Sequence, residues 1–131
     1  MSDLNGFKNV NDNFGHLVGN KLLQQIAKNL KSACREYDQV GRLGGDEFVF
    51  VLPELTEEGA EELMPRLELA VEEAGQLVCG AKVVTASIGC AFYPKDGSTA
   101  EELLSEADHR MYESKETYYK QRGEASRLQV G

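Results

Sequence analysis

From Leu22 to Cys34 apolar residues recur at three- and four-residue steps (Leu22, Leu23, Ile26, Ala27, Leu30, Ala33), which predicts an amphipathic helix. The stretch before it, Asp3 to Gly19, is polar and glycine-containing, with three asparagines around isolated apolar residues. It reads as an elaborate loop, or a loop with a short helical turn. The helix is expected to start near Gly19-Asn20, where its first N–H groups would welcome an anion or polar ligand. Val40–Leu43 and Phe48–Leu52 then form two short β-prone runs around paired glycines, which describes a hairpin. The second run is apolar at every position, so both its faces are expected to be buried at the centre of a sheet. Thr56 can cap a second helix with Ala60, Leu63, Met64, Leu67, Val71 and Ala74 inward, and Pro65 inside it predicts a kink or a later start. Val83 to Tyr93 alternates, with Val84, Ala86, Ile88, Cys90 and Phe92 on one face, as a half-buried strand would. Turn chemistry at Tyr93–Gly97 leads to a capping box of Ser98 with Glu101. The last helix turns Ala100, Leu103, Leu104, Ala107 and Met111 inward and then carries Tyr112 and Lys115. Beyond Lys115 the sequence becomes polar and loses periodicity.

This order of elements implies an α/β sandwich of the α+β kind, with helices on one or both faces of a sheet. Nothing before Asp3 is long enough to read as a partner for Phe48–Leu52. An upstream strand is therefore expected to be lacking, with an edge left open.

The 131 residues suit one domain. With 22 acidic and 14 basic side chains the net charge is −8, which argues against a nucleic-acid backbone as partner. It leaves room for a small phosphorylated ligand, since one lysine in a pocket outweighs a distant acidic face. Much of the negative charge lies between Glu54 and Glu73 and reads as a solvated helix face. No apolar run approaches the ~20 residues of a membrane span, and no signal peptide is apparent, so a cytoplasmic domain with no membrane contact of its own is expected. Cys34, Cys79 and Cys90 form no CxxC and read as reduced thiols. Neither His16 nor His109 has a partner at metal-ligand spacing, and His16 reads as a hydrogen-bonder that organises a loop.

Chemistry concentrates at Gly44-Gly45-Asp46-Glu47-Phe48. Paired glycines let phosphates approach the backbone, and adjacent carboxylates can hold a divalent cation against them. By itself this pentapeptide is equally well an ordinary turn with solvated acids. A second set upstream changes the balance: Asp3-Leu4-Asn5-Gly6-Phe7-Lys8-Asn9-Val10-Asn11-Asp12, then Gly15-His16, then Gly19-Asn20. In order and spacing, together with Ser87-Ile88-Gly89 and the Ala107–Lys115 helix, these motifs resemble the GGDEF domain, the catalytic module of diguanylate cyclases. The resemblance spans residues 1–122, with 123–131 left as a C-terminal tail. It implies a fold related to nucleotidyl cyclases and polymerase palms, with a ferredoxin-like antiparallel sheet whose first strand ends at about Asp3.

The activity so implied joins two GTP into cyclic di-GMP and two pyrophosphates in a homodimer, each 3′-hydroxyl attacking the other nucleotide's α-phosphate. The resemblance assigns Mg²⁺ (or Mn²⁺) to Asp3, Asp46 and the Leu4 carbonyl. Asp46 would also accept the proton, with Glu47 beside it, and Lys8 and Lys115 would hold phosphate charge. Gly44 and Gly45 would admit the phosphates, Asn11 and Asn20 would read guanine, and His16 would order the substrate loop. Arg35 and Asp38 match the spacing of the family's RxxD inhibitory site, to which Arg66 would add a second arginine for bound cyclic di-GMP. A sensor domain upstream in a longer chain is implied as well.

Three departures qualify the match. Asp3 would lack a rigid strand. The usual Gly-Arg-Asn element after Lys115 is replaced by Glu116-Thr117-Tyr118-Tyr119-Lys120, so a phosphate-binding arginine becomes a tyrosine unless Lys120 or Arg122 substitutes. Asn20 stands where aspartate is usual. Two readings therefore remain beside the active cyclase: a non-catalytic regulatory module that binds GTP or cyclic di-GMP, and a transferase making a mixed cyclic dinucleotide.

Overall fold

The computed structural model describes residues 1–121, in the order β1 (Ser2–Asn5), α1 (Phe7–Phe14), α2 (His16–Ala33), β2 (Gln39–Gly44), β3 (Glu47–Val51), α3 (Glu57–Cys79), β4 (Thr85–Ile88) and α4 (Ala100–Gln121). The four strands form one sheet in the order β2-β3-β1-β4. With α1 and α2 between β1 and β2, the succession is the β-α-β-β-α-β of ferredoxin-like folds. The α+β class expected from the sequence is the one observed. No helix among the described residues is long and apolar enough to cross a membrane.

The edge expected to lie open beside Phe48–Leu52 is filled. Ser2–Asn5 forms β1, and β1 lies between β3 and β4. These four residues place Asp3 within a strand and not on a frayed end. Phe7 and Val10, isolated to the eye, stand three apart and bury one side of α1, so much of the expected loop is an eight-residue helix.

Two compact units are distinguished, Leu4–Ala86 and Met1–Asp3 with the chain from Ser87 onward. In the first, Leu22, Ile26 and Leu30 of α2 are fully buried, as are Val71 and Ala74 of α3. Asn29 on α2 donates to the Ala70 carbonyl of α3 at 3.1 Å. The Thr56 hydroxyl accepts the Gly59 N–H at 3.0 Å, so α3 starts where the cap predicts and runs 23 residues through Pro65, with no late start. β2 and β3 pair antiparallel from Gln39↔Val51 to Gly44↔Glu47, with an irregularity between Arg42 and Gly44. β3 is central as expected but not buried on both faces: Phe48 is buried, whereas Val51 is 57% exposed. Its neighbour β2 is exposed at nearly every position and gives that end little cover.

In the second unit Met1 and Gly89 exchange both backbone hydrogen bonds, at 2.9 and 3.0 Å, as antiparallel neighbours do. The long alternating strand shrinks to Thr85–Ile88, and the inner positions are Ser87 and Gly89, not Cys90 and Phe92. Backbone decides this, because a Cβ at Gly89 would collide with the main chain of Ala107 and Met111 on α4. The capping box lies one residue beyond the expected one. Glu102 N–H donates to the Thr99 hydroxyl at 3.1 Å and Thr99 N–H returns to the Glu102 carboxylate at 3.2 Å. α4 buries a four-residue ladder, Ala107, Met111, Lys115 and Tyr119, and continues past Lys115. Leu104, expected inward, is exposed. The preceding turn is pinned by Arg110, which donates to both oxygens of Asp96 at 2.9 and 3.0 Å and to the Cys90 carbonyl at 2.8 Å.

Candidate active site

Within Leu4–Ala86 the acidic tip is formed where β2 turns into β3. Gly45 adopts φ +51°, a left-handed conformation that a β-carbon would strain, and both Gly44 and Gly45 are exposed with open space around them. Asp46 and Glu47 follow, half-buried. The Asp46 carbonyl accepts the Leu4 N–H at 3.1 Å, which ties the tip to the end of β1. Leu4 and Asp46 are thus neighbours at the backbone.

A second group gathers at the α1–α2 junction. Lys8 is exposed on α1 and Asn11 is half-buried one turn later. The Asn11 amide oxygen lies against Gly19 so closely that any β-carbon there would strike it. Gly19 therefore lets the side chain of α1 settle on the first turn of α2. His16 opens α2, three to four residues earlier than the periodicity suggested, and Asn20 stands exposed in the second turn. The N–H groups free to meet an anion are consequently those nearer His16.

In the other unit Asp3 and Lys115 meet. Lys115, which reads as a solvated helix-end lysine, lies mid-helix, is 8% exposed and donates from Nζ to the Asp3 carboxylate at 2.9 Å. Tyr119, one turn on along the same stripe, is buried against Tyr118 in an edge-to-face pair with ring centres 4.9 Å apart. The residue in the usual arginine's place is thus structural. Lys120 is exposed, and Arg122 and the expected tail 123–131 lie outside the described residues.

The turn between α2 and β2 holds a third cluster. Arg35 Nε donates to both oxygens of Asp38 at 3.1 and 3.0 Å, and Nη2 donates to Asp38 at 2.7 Å and to the Pro53 carbonyl at 2.8 Å. Asp38 also accepts the Arg35 N–H at 2.8 Å. The Asp38 side chain is 1% exposed, and hydrogen bonds from Arg35 hold its pKa below the usual carboxylate range. Arg66 of α3 donates to the Ala33 carbonyl at 3.1 Å, at the end of α2. Burial raises the Cys34 thiol pKa, Asp38 raises it further, and Arg66 and Arg35 oppose the rise, so all three expected inhibitory-site residues act on one cysteine. The ring of Tyr37, a residue the spacing argument passes over, lies 4.6 Å from the Arg35 guanidinium carbon. Its signal in sequence was only an aromatic between the two motif residues. The Pro53 carbonyl carried none, being backbone.

His109 is exposed and faces Glu113 at 3.1 Å, an ion pair when the imidazole is protonated. Among the described residues no group of three His, Cys, Asp or Glu is placed to hold a metal. Hard oxygen donors, a carboxylate at Asp46 and backbone at Leu4, fit an ion that takes few protein ligands and completes its shell with phosphate and water, as Mg²⁺ does.

Residues 1–121 match the family model "Diguanylate cyclase, GGDEF domain". The chain belongs to the GGDEF family. The bifunctional diguanylate cyclase/cyclic di-GMP phosphodiesterase MucR of Pseudomonas aeruginosa is 40% identical over 114 residues, 87% of this chain and 17% of that protein. Diguanylate cyclase A of Treponema denticola is 38% identical over 117 residues, 88% of this chain and 32% of that one. The solved structure of a sensory box/GGDEF family protein from Caulobacter crescentus aligns with a TM-score of 0.72 at 35% identity, covering 88% of this chain and 76% of that one. This GGDEF domain thus spans about a third or less of the length of these two curated relatives.

Proposed function

We propose that this GGDEF domain makes cyclic di-GMP from two GTP in a homodimer, as the output part of a longer cytoplasmic signalling protein. The observation that carries the reading is the acidic Gly-Gly-Asp-Glu tip held beside the end of β1 by the Leu4–Asp46 hydrogen bond. In this reading Asp3, Asp46 and the Leu4 carbonyl hold Mg²⁺ or Mn²⁺, which when bound neutralises phosphate charge and promotes ionisation of the 3′-hydroxyl. Asp46 accepts the 3′-proton as the oxygen bonds to the α-phosphorus and pyrophosphate departs. Glu47 adds negative charge beside it. Lys8 and Lys115 bind phosphate oxygens, Gly44 and Gly45 admit them, and Asn11 and Asn20 address guanine, with His16 ordering the helix start. Arg35, with Asp38 and Arg66, binds cyclic di-GMP as a feedback inhibitor.

Incubation with GTP and Mg²⁺ followed by chromatography of the products tests the reading. Asp46→Ala should lower cyclic di-GMP formation by about 10²–10⁴-fold, the range for a lost proton acceptor, with little change in melting temperature. Unchanged turnover would overturn it. Two observations favour a second reading, a regulatory module that binds nucleotide without turning it over: Lys115 is engaged with Asp3, and the arginine's place holds a buried tyrosine. Cyclic di-GMP binding with no product from GTP would select that reading.

A further inference from the structure

We propose that Tyr37 is the base-stacking platform of the cyclic di-GMP site, an inference that rests on reading Arg35 and Asp38 as that site. The Asp38 side chain is 1% exposed, and its carboxylate accepts from Arg35. Arg35 in turn has Nε committed to Asp38 and Nη2 shared between Asp38 and the Pro53 carbonyl. These donors hold the turn and fix the plane of the guanidinium. Tyr37 covers the guanidinium, yet the residue is 61% exposed, so the ring has one face on the cation and the other toward solvent. An aromatic ring braced from beneath and open above is suited to a purine, because every base offers a π-face and the ring loses little freedom on binding. Asp38 fixes Arg35, and Arg35 fixes the platform.

Calorimetric titration of cyclic di-GMP into the 131-residue chain tests this, alongside Tyr37→Ala, Tyr37→Phe and Arg35→Ala. Base–aromatic stacking predicts that Tyr37→Ala weakens affinity by about 5- to 150-fold, while Tyr37→Phe stays within about twofold because the ring and not the hydroxyl is used. Arg35→Ala should weaken binding as well. If Arg35→Ala weakens binding but Tyr37→Ala leaves it unchanged or tightens it, the platform is refuted and the site stands. If Arg35→Ala leaves affinity at the parent value, or the parent binds no cyclic di-GMP, the site itself is misassigned and the platform falls with it. Thermal melts of each variant separate lost binding from lost fold.

Discussion

Asn20 carries an amide where the family usually has an acid, and it stands exposed in the second turn of α2. An aspartate would accept from both guanine N1–H and the exocyclic amine, whereas an amide offers one acceptor and sets its NH₂ against a donor. That mismatch costs about 2–4 kcal/mol, or roughly 30- to 1000-fold in guanine preference. Asn20→Asp should therefore raise the GTP-to-ATP ratio of kcat/KM, and an unmoved ratio would show that residue 20 does not read the base. At this scale the sequence located the groups but not their partners. Motif spacing named Lys115 and Asp3 separately, and only the fold shows the ammonium on the carboxylate, because the two stand 112 positions apart in the chain.

Elements were legible where one face repeats and obscure where a turn or a glycine sets the register. The α2 and α3 stripes could be read directly, and so could the Thr56 cap. α1 was missed because its apolar face has only two members, and β4 was misjudged because a glycine at the close approach to α4 has no polarity to read. Pro65 gives the sharpest test among the elements. It sits inside a continuous 23-residue helix, where a proline forfeits one backbone hydrogen bond and crowds the preceding turn. Pro65 is exposed, so Pro65→Ala removes no core packing. The substitution should raise stability by about 1–3 kcal/mol, measured as a higher urea midpoint at unchanged slope. A lower midpoint would mean that the ring is used for something else.

Over the whole molecule, acid should act through carboxylates that guanidinium groups hold ionised. Hydrogen bonds from Arg110 first, and then from the Phe92 N–H, lower Asp96 to about 2, and Arg35 lowers Asp38. Folded pKa values below the unfolded ones mean that this stabilisation is fully present above the unfolded value of about 4 and fades as pH falls toward 2. Melting temperature should drop across that window, and Arg110→Met should flatten the drop. An equally steep fall in the variant would place the acid sensitivity elsewhere. Fold class and chain order were recoverable from pattern and motif together. What pattern could not supply was the short β1, since four residues carry too little periodicity to be recognised as a strand.

The Lys115–Asp3 pair has a consequence for the order in which ligands arrive. In the proposed enzyme a divalent ion that takes Asp3 must evict an ammonium from low-dielectric surroundings, and a triphosphate that recruits Lys115 must abandon a carboxylate. Either ligand alone pays for the separation, whereas together they share it, so metal and nucleotide should bind with positive heterotropic coupling, of equal size whichever is added first. Mn²⁺ titrations followed by electron paramagnetic resonance, with and without a non-hydrolysable GTP analogue, should show that synergy in the parent chain and a smaller one in Lys115→Met. Independent binding in both would mean that the ion pair survives ligation and sets no order of assembly.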